Sequence, residues 1–77
     1  ALYNNDFMLR QARYRADRIE TAAGPNLKKQ INQAFRLVFN RPPNEEEMEI
    51  SKSVLVEENL FVLCRSLINS NEFFYFD

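Results

Sequence analysis

A single glycine, Gly24, occurs in this chain of 77 residues, and this scarcity restricts the fold more than any other feature of the sequence. β-Hairpins, β-sandwiches and phosphate-binding loops use glycine repeatedly in their turns. Hydrophobic residues make up 45% of the chain, which is enough for a packed core, and the length allows one small domain. The composition therefore predicts a single all-α domain over residues 1–77.

Apolar residues recur at helical spacing in four segments, which predicts a small bundle of four main helices with a short C-terminal helical turn. Helix one begins near Asn5 or Asp6 and ends at Gly24-Pro25, helix two covers 26–39, helix three covers 45–55, and helix four begins near Glu57 or Glu58. The residues expected to face the core are Met8, Ala12, Ala16, Ile19 and Ala23 in helix one; Leu27, Ile31, Ala34, Phe35, Val38 and Phe39 in helix two; Met48, Ser51, Val54 and Leu55 in helix three; and Leu60, Leu63, Cys64, Leu67 and Ile68 in helix four.

The segment between helices two and three carries strong local signals. Pro42 and Pro43 each disfavour a helical conformation in the residue before them, so helix two must stop there. Asn44 stands three residues before Glu47, the spacing of a capping box. We expect Arg41 in this loop to anchor a helix carboxy terminus or an acidic side chain rather than to bind a ligand.

The residue types needed for histidine-based catalysis and for histidine or multi-cysteine metal sites are missing. Histidine is absent and Cys64 is the only cysteine, so an internal disulfide, a CxxC zinc knuckle or a CxxCH haem-attachment motif cannot be built. Cys64 lies on an apolar helix face and is expected in the core. Glu45, Glu46, Glu47 and Glu49 diverge by about 100° per residue around a helix, so they favour helix N-terminal electrostatics over a cation site. We expect no catalytic residue, no metal, no cofactor and no enzymatic activity.

Charge is divided unevenly along the chain. Residues 1–36 carry seven basic and three acidic residues, a net charge of +4, whereas residues 37–77 carry three and eight, a net charge of -5. The candidate basic face of helix one consists of Arg10, Arg13, Arg15 and Arg18. A solvated face is favoured, and a nucleic-acid or membrane-surface binder is the alternative. With a total of -1, no nucleic acid is expected as a partner, and no apolar run predicts membrane insertion.

Four consecutive aromatic residues lie close to the last residue given. Each of Phe73, Phe74, Tyr75 and Phe76 can bury roughly 150–250 Å². They are therefore a candidate interaction surface, or they close the base of the domain as part of its core. Truncation after Ser70 is expected to unfold the domain if the second interpretation holds.

Three motifs resemble one known family. They are ALYNNDFMLRQA, AFRLVFNRPPNEEE and LCRSLINSNEFFYFD, in this order. The chain resembles the C-terminal part of the domain of unknown function number fifteen fifty-three, a planctomycete-type domain found in large proteins alongside cytochrome c-like domains. The family pattern commonly has aliphatic residues where Phe74 and Phe76 stand.

The resemblance implies a C-terminal fragment of a larger, extracytoplasmic bacterial protein, and it defines no catalytic residues. We expect a non-catalytic structural or protein-interaction module whose partners are other domains of the same parent protein or a separate protein. An accessory role in an exported electron-transfer or polysaccharide-processing protein is the alternative. The oligomeric state stays open.

Overall fold

Four α-helices make up the part of the chain that the structure, a computed structural model, describes, residues 6–69. They are α1 (Asp6–Ala23), α2 (Leu27–Phe39), α3 (Glu45–Glu57) and α4 (Leu60–Ile68). No β-strand occurs between residues 6 and 69. The predicted all-α bundle of four main helices is confirmed, and the predicted C-terminal turn lies outside the described residues.

An asparagine begins each of the last three helices. The side-chain oxygens of Asn26, Asn44 and Asn59 accept hydrogen bonds from the backbone N–H three residues further on, at 2.9, 2.8 and 2.9 Å. Each bond satisfies a donor that has no partner within the helix itself. The starts of α2, α3 and α4 are therefore set by local sequence.

Left-handed residues end the first two helices. Gly24 has φ 62° and its N–H donates to the Glu20 carbonyl at 2.9 Å, while Asn40 has φ 57° and donates to the Arg36 carbonyl at 3.0 Å. Glycine and asparagine tolerate this conformation better than other residues. The stop predicted at Gly24-Pro25 is confirmed.

The core lies between α1, α2 and α4, with α3 covering it from the side of α2 and α4. Its fully apolar members are Ala12, Ala16 and Ile19 of α1; Ile31, Ala34 and Phe35 of α2; and Leu60, Leu63, Cys64 and Leu67 of α4. The two alanines of α1 present little side-chain bulk where this helix packs on its neighbours. Within the described residues, α1 and α3 are the one helix pair that shares no Cα–Cα approach within 8 Å. These two helices therefore occupy opposite corners of the bundle.

Three details of the predicted helices are wrong. The third helix continues to Glu57 rather than Leu55, because the Glu58 N–H still bonds to the Val54 carbonyl at 2.8 Å. The fourth begins at Leu60, since Asn59 supplies the N-cap. Leu27 is 41% exposed rather than buried, because it opens α2 and no earlier turn of its own helix covers it.

Candidate functional site

The predicted site residues fall partly outside the described part of the chain. Phe73, Phe74, Tyr75 and Phe76 lie beyond residue 69. The four arginines of the candidate basic face do not share one exposed surface: Arg10, Arg13 and Arg18 are exposed, and Arg15 is half-buried. The site is therefore built from the exposed arginines and from their neighbours on α1 and α4.

Helix α1 has two distinct faces. Ala12, Ala16 and Ile19 point into the core, whereas Phe7 and Tyr14 are 60% and 57% exposed. Phe7 and Tyr14 stand seven residues apart, so they point in nearly the same direction. We call Phe7, Arg10, Tyr14 and Arg18 the outer face of α1. It presents two aromatic rings and two guanidinium groups on the side turned away from the core.

The guanidinium of Arg13 joins α1 to α4. Its carbon atom lies 4.5 Å from the centre of the Phe61 ring, the geometry of a cation–π contact. Leu9, Arg10 and Asp6 complete an open groove of about 340 Å³ beside this pair. Periodicity alone could not identify the contact, because Phe61 stands 48 residues from Arg13 and belongs to another helix.

A second contact fixes the aromatic residue at the middle of the outer face. Arg18 Nη1 donates to the Tyr14 hydroxyl oxygen at 3.2 Å, and the guanidinium carbon lies 5.7 Å from the ring centre. A depression of about 400 Å³ lies alongside, and Asp17, Thr21 and Ala22 complete its lining. The Tyr14 ring is thus held in an exposed position by a residue four positions later.

The loop before α3 is organised by one buried carboxylate. Arg41 Nη1 and Nη2 donate to the two carboxylate oxygens of Glu47 at 2.9 and 2.8 Å. The Asn44 backbone N–H donates to the same carboxylate at 2.8 Å, which completes the predicted capping box. The guanidinium also lies 5.8 and 5.6 Å from the ring centres of Phe35 and Phe39. Of the two roles predicted for Arg41, the structure shows the anchoring of an acidic side chain.

This ion pair shifts the titration of both partners. Hydrogen bonding from Arg41 holds the pKa of Glu47 below its usual value, although burial of the carboxylate opposes the shift. The hydrogen bond to Glu47 in turn raises the pKa of Arg41. Both groups are committed to each other, so the arrangement closes the loop between α2 and α3 rather than offering a free acid or base.

The other titratable candidates also have structural environments. Burial raises the pKa of the Cys64 thiol to about 12, and the charge of Arg15 opposes this only in part. Cys64 lies in the core as predicted. Glu45, Glu46 and Glu49 are exposed on α3, and residues 6–69 contain no cluster of histidine, cysteine and acidic side chains that could hold a metal ion.

A groove on α3 carries the opposite charge to the outer face of α1. Ile50 and Val54 form an apolar floor, Ser53 lines the wall, and Glu57 and Glu58 form an acidic end, around a volume of about 360 Å³. We call these five residues the α3 groove. Ile50 and Val54 also pack against the core with part of their surface, so the floor of the groove adjoins the core.

Within residues 6–69, no helix has the length and apolar character needed to cross a membrane. Neither the curated proteins nor the solved structures include one that matches this chain significantly. Residues 1–55 match the PSD1 family, described as a protein of unknown function (DUF1553). The match includes the first two sequence motifs and ends before the third, which begins at Leu63. Because it covers more than half of the residues, the chain belongs to the DUF1553 family of proteins of unknown function.

Proposed function

We propose that this chain is a non-catalytic helical module that binds protein surfaces through the outer face of α1. Its partners are other domains of the same parent protein or a separate protein. The observation that carries the proposal is the exposure of Phe7 and Tyr14 on a helix whose opposite face is already buried. Aromatic and arginine side chains are the residue types that most often dominate the energy of protein interfaces.

The burial and pairing of the titratable side chains support a binding role over a catalytic one. The sequence contains no histidine, and the one cysteine is buried with a raised pKa, which disfavours its nucleophilic thiolate form. Arg41 and Glu47 form a two-pronged ion pair at 2.9 and 2.8 Å in the loop before α3. None of these groups is poised to donate or accept a proton on a substrate.

The family resemblance supports a proposal for the context of the module. We propose that the chain is the C-terminal part of a larger bacterial protein that acts outside the cytoplasm, in the periplasm or as a secreted protein. The resemblance of the three sequence motifs to a cytochrome-associated domain supports this placement. Its role there is to hold domains together, and electron transfer or polysaccharide processing belongs to other segments of the parent.

A binding experiment tests the proposal. The 77-residue chain is immobilised and the remainder of the parent protein is flowed over it, with Phe7→Ser/Tyr14→Ser as the test variant. Loss of two interface aromatics is expected to weaken binding at least roughly tenfold. Leu37→Ser is the matched control, because Leu37 is an exposed apolar residue on α2. Equal binding by the test variant, or no binding by the unaltered chain, contradicts the proposal.

A further inference from the structure

The described surface contains two features that complement each other. The outer face of α1 offers two aromatic rings beside two guanidinium groups, and the α3 groove offers an apolar floor with a carboxylate end. The groove carries two exposed carboxylates, Glu57 and Glu58, whereas the outer face of α1 carries the two exposed guanidinium groups of Arg10 and Arg18. Opposite charge around apolar contact area is the arrangement found where protein surfaces recognise each other.

The two features cannot meet within one molecule. Helices α1 and α3 occupy opposite corners of the bundle and share no Cα–Cα approach within 8 Å. The outer face of α1 is turned away from the core, and the α3 groove opens beside Ile50 and Val54 on the far helix. A contact between them therefore requires a second molecule.

We propose that the α3 groove binds the outer face of α1 from a second copy of this chain. In this contact, Tyr14 packs on the floor formed by Ile50 and Val54, and Arg18 pairs with Glu57 and Glu58. The proposal rests on the proposed function, since it identifies a copy of the chain as one protein partner of the same α1 surface. Its failure leaves binding to other segments of the parent protein as a separate question.

The geometry determines the type of assembly. One copy contributes its α1 face and the other its α3 groove, so the contact is heterologous. The bound pair therefore still offers one free α1 face and one free α3 groove. Association is therefore expected to be open-ended rather than limited to a dimer. Because the contact involves few side chains and exposed charges, we expect dissociation constants on the order of 0.1–1 mM and a strong dependence on salt.

Analytical ultracentrifugation of the whole 77-residue chain tests the proposal. The weight-average mass is expected to rise above 9.1 kDa as concentration increases from about 10 µM to 2 mM, and to return to 9.1 kDa in about 1 M NaCl, where the Debye length is about 3 Å. Constant mass over this range overturns the proposal. The salt series needs no variant and therefore does not depend on any variant's folding.

Complementation between two variants tests which surfaces meet. Tyr14→Ala/Arg18→Ala removes the α1 contribution, and Glu57→Lys/Glu58→Lys reverses the acidic end of the α3 groove. Each variant alone is expected to stay monomeric, whereas their mixture forms a closed one-to-one dimer through the intact face of each. Circular dichroism melts confirm that each variant is folded.

The matched control is Arg36→Ala/Leu37→Ala, which removes an exposed arginine and an exposed apolar residue from α2. This control is expected to associate as the unaltered chain does. If it abolishes association to the same extent, or if the mixture of the two variants stays monomeric, the contact does not join the outer face of α1 to the α3 groove.

Discussion

Replacement of Ser51 by alanine is expected to stabilise the protein, against the usual direction of a core substitution. Ser51 is completely buried on α3, and its hydroxyl oxygen has no hydrogen-bond partner among residues 6–69. A buried hydroxyl without a partner costs about 1–3 kcal/mol, and alanine favours a helix over serine by roughly 0.5 kcal/mol. The loss of one oxygen leaves a small void that offsets part of this gain. We expect a net stabilisation of about 1–2 kcal/mol.

Thermal and urea unfolding followed by circular dichroism measure this change. For 77 residues, an unfolding entropy of about 2.1 cal/mol/K per residue converts 1 kcal/mol into a rise in Tm of about 6 °C. Ser53→Ala is the matched control on the same helix, since Ser53 is exposed and its hydroxyl donates to the Glu49 carbonyl at 3.3 Å. The reasoning is refuted if Ser51→Ala lowers the free energy of unfolding, or raises it no more than Ser53→Ala does.

Three further predictions concern local interactions. Asn59→Ala is expected to lower the free energy of unfolding by about 1 kcal/mol, because the N-cap of α4 is lost. An equal effect of Glu58→Ala in the same urea titration contradicts the role of Asn59 as the N-cap. The thiol of Cys64 is expected to react with a thiol reagent only as fast as the protein unfolds, because it is buried and its pKa is raised to about 12. Rapid labelling under native conditions contradicts its core position. The lowered pKa of Glu47 adds stability that is complete above its unfolded pKa near 4.5 and is lost as pH falls through the lower folded value. Glu47→Gln is therefore expected to make the free energy of unfolding fall less steeply at acid pH. An unchanged acid limb of the stability–pH curve argues against the ion pair.

The sequence was sufficient to predict the fold wherever a local signal sets a helix boundary. Gly24-Pro25 ends α1 because glycine adopts a left-handed conformation there, and Asn44 with Glu47 forms the capping box that begins α3. These interactions join residues at most a few positions apart, so they are visible in a short segment of sequence. The same reasoning places Cys64 correctly, because its position within an apolar repeat is also a local property.

Tertiary contacts explain most of what the sequence did not reveal. Arg13 stacks on Phe61 of another helix, and this contact depends on how α1 and α4 cross, which no repeat encodes. Arg15 belongs to the same arginine series but is half-buried, because helical geometry turns it toward Ile19 and the core. The α3 groove was not predicted, because Val54 was expected to face the core. Val54 and Ile50 are both half-buried, so part of each side chain lines the surface groove.

The start of α4 shows a limit of the local signals themselves. Glu57 and Glu58 are good residues for a first helical turn, and this favours a start near them. Asn59 has a side chain that accepts the Val62 N–H at 2.9 Å, and this hydrogen bond prevails. A rule that ranks asparagine above glutamate at the N-cap would have given the observed boundary.

The central claim is that protein partners bind the outer face of α1, and chemical-shift mapping tests it most directly. The ¹⁵N-labelled 77-residue chain is titrated with the remainder of the parent protein, and separately with unlabelled chain. Shift changes centred on Phe7, Tyr14 and Arg18 are the predicted result, joined by the α3 groove in the second titration. Shift changes confined to α2 or to the loop around Arg41, or none in either titration, contradict the claim.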